Sequence, residues 1–213
     1  MTLAHAYGNI DYLLGSNMQK EQSRPSFFRA NFSFISQFIK NPKAVGSLVP
    51  SSPLLGRAMA KFVPKKDDAF VVELGPGTGP ITKALTKVGL NKDNLLCIEM
   101  SPKMVKLLHR RFPELNIIEG DACALSNTIG EKSGKVDAIV SSLPLRSIPK
   151  GIVTQIIDQM HEVLTDDGVI IQFTYDLRAN RSPLLQKFKR VKSKIVVGNV
   201  PPARVDVFKK VSE

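Results

Sequence analysis

Val71-Val72-Glu73-Leu74-Gly75-Pro76-Gly77-Thr78-Gly79 decides how this 213-residue chain reads. Val71 and Val72 are apolar and β-branched, as a buried strand requires, and Glu73 stands near the strand's carboxyl end. Glycines at alternate positions then let the backbone turn tightly with no Cβ in the way, so that a small ligand can touch main chain. Ile81 to Val88 reads as a helix. Strand, glycine turn and helix open a nucleotide-binding α/β fold, whose ligands lie beyond the carboxyl ends of the strands.

The spacing narrows the ligand. A dinucleotide fingerprint needs a third glycine three residues after the second. Counted from Gly75 and Gly77, that position is Pro80, and the third glycine comes early, at Gly79. A G-x-G-x-G turn preceded by an acid resembles the first motif of the S-adenosylmethionine-dependent methyltransferases with a Rossmann-like fold. The resemblance implies a cofactor with no pyrophosphate to set on a helix N-terminus, and with a sulfonium and an ammonium that favour nearby carboxylates. Glu73, Gly75, Pro76, Gly77 and Gly79 are the candidates for holding it.

Leu95 to Glu99 reads as a second buried strand ending in an acid, about twenty residues on, where such folds place a carboxylate for ribose hydroxyls. Glu99, with Met100 after it, is the ribose candidate. A third strand, Leu115 to Glu119, is followed by Gly120-Asp121-Ala122. In the methyltransferase pattern such an Asp accepts from the adenine amino group while the next backbone N–H, here that of Ala122, meets the ring. Asp121 is equally suited to cap the helix that follows it.

The remainder continues the alternation. Pro102 to Phe112 reads as a helix with proline in its first turn, Val136 to Val140 as a strand, Ile148 to Leu164 as an amphipathic helix and Gly168 to Phe173 as a strand. Lys194 to Val197 and Arg204 to Val211 read as a closing hairpin. The expectation is an α/β, mostly parallel seven-stranded sheet with an antiparallel edge strand, the class I methyltransferase arrangement by resemblance. Residues 46–213 form the methyltransferase domain, and 1–45 an N-terminal helical extension.

Composition bounds the function. At 43% hydrophobic residues the chain suits one globular domain plus an extension. Cys97 and Cys123 lack C-x-x-C spacing and read as reduced thiols, which with no evident secretory signal predicts a cytoplasmic protein. His5, His109 and His161 are scattered, so no metal is expected. No apolar run approaches the ~20 residues that span a bilayer. The net charge is +11, with ten Lys or Arg against two acids from residue 178 onward, which favours an anionic surface as partner. The absence of Trp, and of any Tyr in the basic tail, disfavours nucleic acid bound by base stacking.

Ser141-Ser142-Leu143-Pro144-Leu145-Arg146 follows the fourth strand. Methyltransferases acting on exocyclic amines of nucleic-acid bases usually carry Asn or Asp, then Pro-Pro and an aromatic there, to hold the amine and stack on the flipped base. This stretch has neither. With Val45 to Ser52, Gln172-Phe173-Thr174-Tyr175 and Asn199 to Arg204, it looks like the bacterial phospholipid N-methyltransferases, over roughly residues 25 to 211. That resemblance implies stepwise methylation of phosphatidylethanolamine toward phosphatidylcholine on the inner face of the cytoplasmic membrane. A ribosomal RNA adenine dimethylase-like enzyme and a non-catalytic S-adenosylmethionine-binding membrane protein are the alternatives.

Roles follow from that placement. Ser141 belongs with the cofactor set, and Ser142, Leu143, Arg146 and Arg204 with the acceptor, the arginines because a planar guanidinium suits a lipid phosphate. Tyr175, just after the fifth strand, is the candidate catalytic residue. From Ser26 to Lys40, Phe28, Phe32, Ile35 and Ile39 recur at three- and four-residue steps between flanking cations, the pattern of an interfacial helix on anionic lipid, or of a helix packed on the core.

Overall fold

The computed structural model describes residues 52–178 and 181–211. The expected helix at 26–40 and the boundary between 45 and 46 lie outside the described residues.

Helix α1, Pro53–Ala60, begins with Ser52, whose Oγ accepts from the Leu55 N–H at 3.2 Å, and with proline in its first turn, where no N–H is missed. Strand β1, Val71–Leu74, leads through the glycine turn into α2, Pro80–Leu85. Then come β2, Leu95–Glu99, α3, Pro102–Arg111, and β3, Asn116–Glu119. Short helix α4, Leu125–Ile129, precedes β4, Val136–Ser141. Helix α5, Lys150–Val163, runs directly into β5, Leu164–Thr174, and the chain closes with β6, Phe188–Val196, and β7, Ala203–Lys210.

The sheet has seven strands in the order β3-β2-β1-β4-β5-β7-β6. The pairs from β3 through β5 are parallel, and β7 is antiparallel to both β5 and β6. The closing hairpin makes the expected antiparallel edge, with β7 between β5 and the outermost strand β6. The order reverses between β1 and β4, so their loops part at the carboxyl ends and leave the crevice where α/β ligands sit.

Alternate residues of the central strands face opposite layers. Val71, Cys97, Val140 and Ile171 pack with Leu55, Met59, Ile81, Leu85 and Leu108 of α1, α2 and α3. Val72, Leu74, Ile98 and Ile139 pack with Ile156, Ile157 and Met160 of α5. Strands covered on both faces read as continuous apolar runs, which is why β1, β2 and β4 are plain in the sequence.

Helix α2 ends at Leu85, three residues before the expected Val88, and two strands begin earlier than expected. Strand β5 begins at Leu164, four residues early, and its register with β4 shifts between Val136 and Ala138 so that Asp166 and Asp167 bulge into solvent. Gly168 closes that bulge, where a Cβ would meet Leu164 Cγ at 2.6 Å and the Val136 carbonyl oxygen at 2.9 Å. Strand β6 begins at Phe188, six residues early. It is an edge strand with most side chains exposed, so its lysines hide the alternation that marks a half-buried strand.

Candidate active site

The parallel ladder continues past the strand ends and gathers the loops. Gly75 N–H donates to the Ile98 carbonyl at 3.0 Å, Gly120 N–H to the Glu99 carbonyl at 3.1 Å, and Ser142 N–H to the Leu74 carbonyl at 2.9 Å. Glu73, the glycine turn, Glu99, Asp121 and Ser141 are thereby brought to one end of the sheet. Pro76 is buried in the turn, and Met100 and Ala122 are half-buried in the loops after β2 and β3.

Gly75, Gly77 and Gly79 have φ of 65°, 59° and 82°, the left-handed region that a side chain resists. Their surroundings differ. A Cβ at Gly75 would lie 2.8 Å from Leu143 Cδ2, one at Gly79 2.6 Å from Phe112 Cε2, and one at Gly77 would meet nothing within 4 Å. Gly77 thus leaves room on its open side, while Gly79 packs on α3. Arg111 of α3 donates to the Thr78 carbonyl and braces the turn from outside.

Glu99 holds the turn from within. Its Oε2 accepts from Gly77 N–H at 3.0 Å and its Oε1 from Ser101 N–H at 2.9 Å, and it is buried. Burial raises its pKa, while N–H groups of Ser101, Gly77 and Met100 favour the charged form. Each oxygen keeps a second lone pair for a ribose hydroxyl. Asp121 caps the following turn, its Oδ1 accepting from Cys123 N–H at 2.9 Å, and it stands at the same end of the sheet as the glycine turn.

Glu73 is fully buried beside Cys97, whose thiol donates to its Oε2 at 3.5 Å, and its Oε1 has no hydrogen-bond partner. Burial pushes the carboxyl up to about 7, against the Thr82 hydroxyl, the Cys97 thiol and the Thr82 backbone N–H, which favour the charged form. An orphaned buried carboxylate oxygen next to an open glycine cradle fits a cationic ligand with a flat sugar and base, as S-adenosylmethionine is.

The sign of the Glu73 shift sets a pH dependence. Its folded value lies above its ordinary 4.5, so the folded chain keeps a proton that the unfolded chain has released. Stability from this group is full below pH 4.5 and is lost as pH rises through 7. Urea unfolding of the ligand-free protein is expected to show declining stability across that window, on the order of 3 kcal/mol in total, with a flatter profile in Glu73→Gln.

Beside the glycine turn, at the carboxyl ends of β4 and β5, lies a cavity of about 330 Å³ lined by Ser142 to Ser147, Gln172 to Asp176, Arg178, Arg181 to Pro183, Arg204 and Asp206. Leu143 links the two, with its side chain over Gly75 and its carbonyl accepting from Gln172 Nε2 at 3.0 Å. Ser141 Oγ steadies the loop by accepting from Leu143 N–H at 3.3 Å. Ser142 Oγ and Gln172 Oε1 are buried without partners. Tyr175 packs edge-on to Phe173, with ring centroids 5.6 Å apart, and shares a side-chain hydrogen bond with Asn199; burial raises its pKa.

The arginines do not all stand free. Arg204, expected to meet the lipid phosphate, is buried with Nε at 3.0 Å from both Asp206 oxygens and Nη1 donating to the Leu177 carbonyl at 2.6 Å. It holds the cavity wall, because its fork is already filled. Arg146 and Arg178 both pair with Asp176 and hold its carboxyl well below the usual range, the Arg178 backbone N–H contributing most. Arg181 is exposed at the rim with no ion pair among the described residues.

Gln172 was not singled out as a site residue from sequence. Its position opposite Ser141 across the β4–β5 pair is the signal, and that needs the register. Among the described residues no cluster of His, Cys, Asp and Glu gathers as a metal site, and no helix is long and apolar enough to cross a membrane.

Residues 71–168 match the family described as Methyltransferase domain. An ornithine lipid N-methyltransferase of Singulisphaera acidiphila is 33% identical over 147 residues, which is 67% of this chain and 77% of that protein. A ribosomal RNA small subunit methyltransferase A of Chlorobium chlorochromatii is 26% identical over 58% of this chain and 45% of its own length. Among solved structures, the 1,6-didemethyltoxoflavin-N1-methyltransferase of Burkholderia thailandensis, with S-adenosylhomocysteine bound, has the same fold at a TM-score of 0.61 and 14% identity, covering 89% of this chain and 92% of that one. Strand order, glycine turn and acids at three successive strand ends agree with these likenesses: the chain belongs to the class I S-adenosylmethionine-dependent methyltransferases.

Proposed function

We propose that the enzyme methylates the amine of a membrane lipid headgroup, phosphatidylethanolamine first, stepwise toward phosphatidylcholine, while seated on the membrane surface. The observation that carries this reading is the pairing of unpartnered acceptors, Gln172 Oε1 and Ser142 Oγ, with a cationic rim beside the cofactor turn. S-adenosylmethionine, when bound, supplies the electrophilic methyl group. In each transfer a C–N bond forms as the C–S bond breaks and sulfur keeps the electron pair; in the first two the nitrogen then sheds a proton to water, and in the third the tertiary amine, with no proton to lose, ends as the quaternary cation.

The amine must attack as the neutral base. A free carboxylate in the cavity would favour the ammonium form, but Asp176 and Asp206 are both occupied by arginines. A carbonyl and a hydroxyl accept N–H bonds without that bias and orient the lone pair. As the nitrogen becomes a quaternary cation, contact with the Tyr175 ring becomes more favourable. Of the arginines the sequence offers for the headgroup phosphate, Arg146, Arg178, Arg181 and Arg204, Arg181 suits it best, because the other three are paired with Asp176 or Asp206.

Gln172→Leu removes the acceptor, together with the Nε2 donor to the Leu143 and Phe173 carbonyls, so a thermal melt of the variant accompanies the kinetics. The variant is expected to lower kcat/KM for the lipid by about 10- to 100-fold, with S-adenosylmethionine Kd unchanged. The function itself is tested by an acceptor panel: methyl-labelled S-adenosylmethionine with vesicles of phosphatidylethanolamine, vesicles of ornithine lipid, and under-modified ribosomal RNA. Label is expected in the phosphatidylethanolamine. Label in RNA alone would contradict the reading, and label in ornithine lipid alone would keep the reaction and change the acceptor.

A further inference from the structure

The turn joining β6 to β7 reads Val197-Gly198-Asn199-Val200-Pro201-Pro202 and is apolar where it is most exposed. Val197 is 73% and Val200 80% exposed, with Ile195 at 51%. Leu54 of α1, 44% exposed, stands against the turn, since a Cβ on Gly198 would come within 2.9 Å of its Cδ1. Single exposed apolar residues are ordinary, but a gathered set marks an interaction site.

Register places this tip at the cavity. Thr174 of β5 lies opposite Arg204 of β7, and Val196 of β6 opposite Ala203. The turn therefore stands at the carboxyl ends of the parallel strands. Asn199, buried within it, shares a hydrogen bond with Tyr175, donates to the Pro201 carbonyl at 2.7 Å and accepts from Ser52 N–H at 3.4 Å. The tip is mounted on the cavity wall.

Its flank is cationic. Lys192 and Lys194 are exposed on β6, and neither has an ion pair among the described residues. Lysines guard edge strands against pairing, but that duty does not call for an apolar tip beyond them. A few aliphatic side chains on a convex turn are too small for a stable protein interface, which needs about 800 Å² per partner, whereas they suit shallow insertion between headgroups.

We propose that this hairpin tip seats the enzyme on an anionic bilayer. Val197, Val200, Ile195 and Leu54 enter the boundary between headgroups and acyl chains, and Lys192 and Lys194 meet anionic headgroups, so that the cavity mouth opens onto the lipid to be methylated. The proposal rests on the lipid acceptor argued above.

The chain has no Trp, so Val197→Trp gives a single reporter in the full-length protein. Vesicles of phosphatidylethanolamine with phosphatidylglycerol are expected to shift its emission to the blue, and lipids brominated near the headgroup to quench it. Val88→Trp, at a position 44% exposed in the loop after α2 at the other end of the strands, stays unshifted. The double variant Val197→Glu, Val200→Glu is expected to bind these vesicles about tenfold or more weakly and to methylate vesicle lipid correspondingly slowly. It keeps wild-type rates on a short-chain aminolipid dispersed in detergent. An unshifted Val197→Trp, in a protein that still methylates vesicle lipid, would overturn the docking. So would a shift that follows protein concentration without lipid, which marks self-association. A vesicle-induced shift in a protein that methylates no lipid would uphold the docking and sink the acceptor reading.

Discussion

Glu99→Ala is expected to weaken S-adenosylmethionine binding by at least about 100-fold, roughly 2.7 kcal/mol, and to lower thermal stability as well. The carboxylate joins two loops that are far apart in sequence, taking the N–H of Gly77 on one oxygen and that of Ser101 on the other. Hydrogen bonds to a charged acceptor contribute about 1.5–3 kcal/mol each, and their loss leaves two donors without partners in a largely buried site. The cradle then loosens before any ligand arrives, and the ribose loses its carboxylate. Isothermal titration of the cofactor, with a thermal melt of the same preparation, reads both effects. Unchanged affinity would show that Glu99 only braces the fold.

The glycine turn yields the second large effect, through a contrast between two positions with similar backbone. Gly79→Val is expected to destabilise the protein by about 2–5 kcal/mol, since left-handed strain of about 1–2 kcal/mol adds to overpacking of about 1–3 kcal/mol. The overpacking is specific, because the new Cβ would fall 2.6 Å from Phe112 Cε2 and 3.0 Å from Leu108 Cδ2. Gly77→Ala meets no neighbour within 4 Å and carries the strain alone. The methyl group instead occupies the room left for the ligand, so this variant should melt only slightly lower while cofactor affinity collapses. Equilibrium unfolding in urea and cofactor titration of both variants separate the two roles.

The residues that were legible in the sequence are those whose signal is local. Val71 to Gly79 and Leu95 to Glu99 declare themselves through β-branched runs, a turn that requires glycine and an acid at the strand end. Asp121 was readable as a cap because an acid placed just before a helical turn accepts a nearby backbone N–H. What stayed hidden depends on partners distant in sequence. Arg204 reads as a free guanidinium until β7 folds Asp206 beside it and the Leu177 carbonyl arrives from the preceding loop. Gln172 reads as an ordinary strand residue until its amide nitrogen is taken by the Leu143 and Phe173 carbonyls and its oxygen is left alone. The start of β6 was obscured because an exposed edge strand carries little apolar alternation.

Electrostatics ties the parts into one device. The cofactor side presents carboxylates to a cationic ligand, with Glu73 buried and partly protonated near neutrality and Glu99 fastened to the turn. In the adjoining cavity Asp176 and Asp206 are paired with arginines, and Gln172 Oε1 and Ser142 Oγ are left without partners, which is the basis of the proposed amine site. Leu143, over Gly75, joins the glycine turn to the cavity wall.

The most direct measurement is a single turnover. Protein preloaded with S-adenosylmethionine bearing a deuterated methyl group is mixed with vesicles of phosphatidylethanolamine and phosphatidylglycerol, and the quenched lipid is analysed by mass spectrometry. The account predicts loss of the bound cofactor in step with the appearance of N-methyl-phosphatidylethanolamine carrying the deuterated group, followed by the more highly methylated lipids when cofactor is in excess. Cofactor that stays intact on the protein in the presence of this lipid, yet is consumed when ribosomal RNA is added, would contradict it.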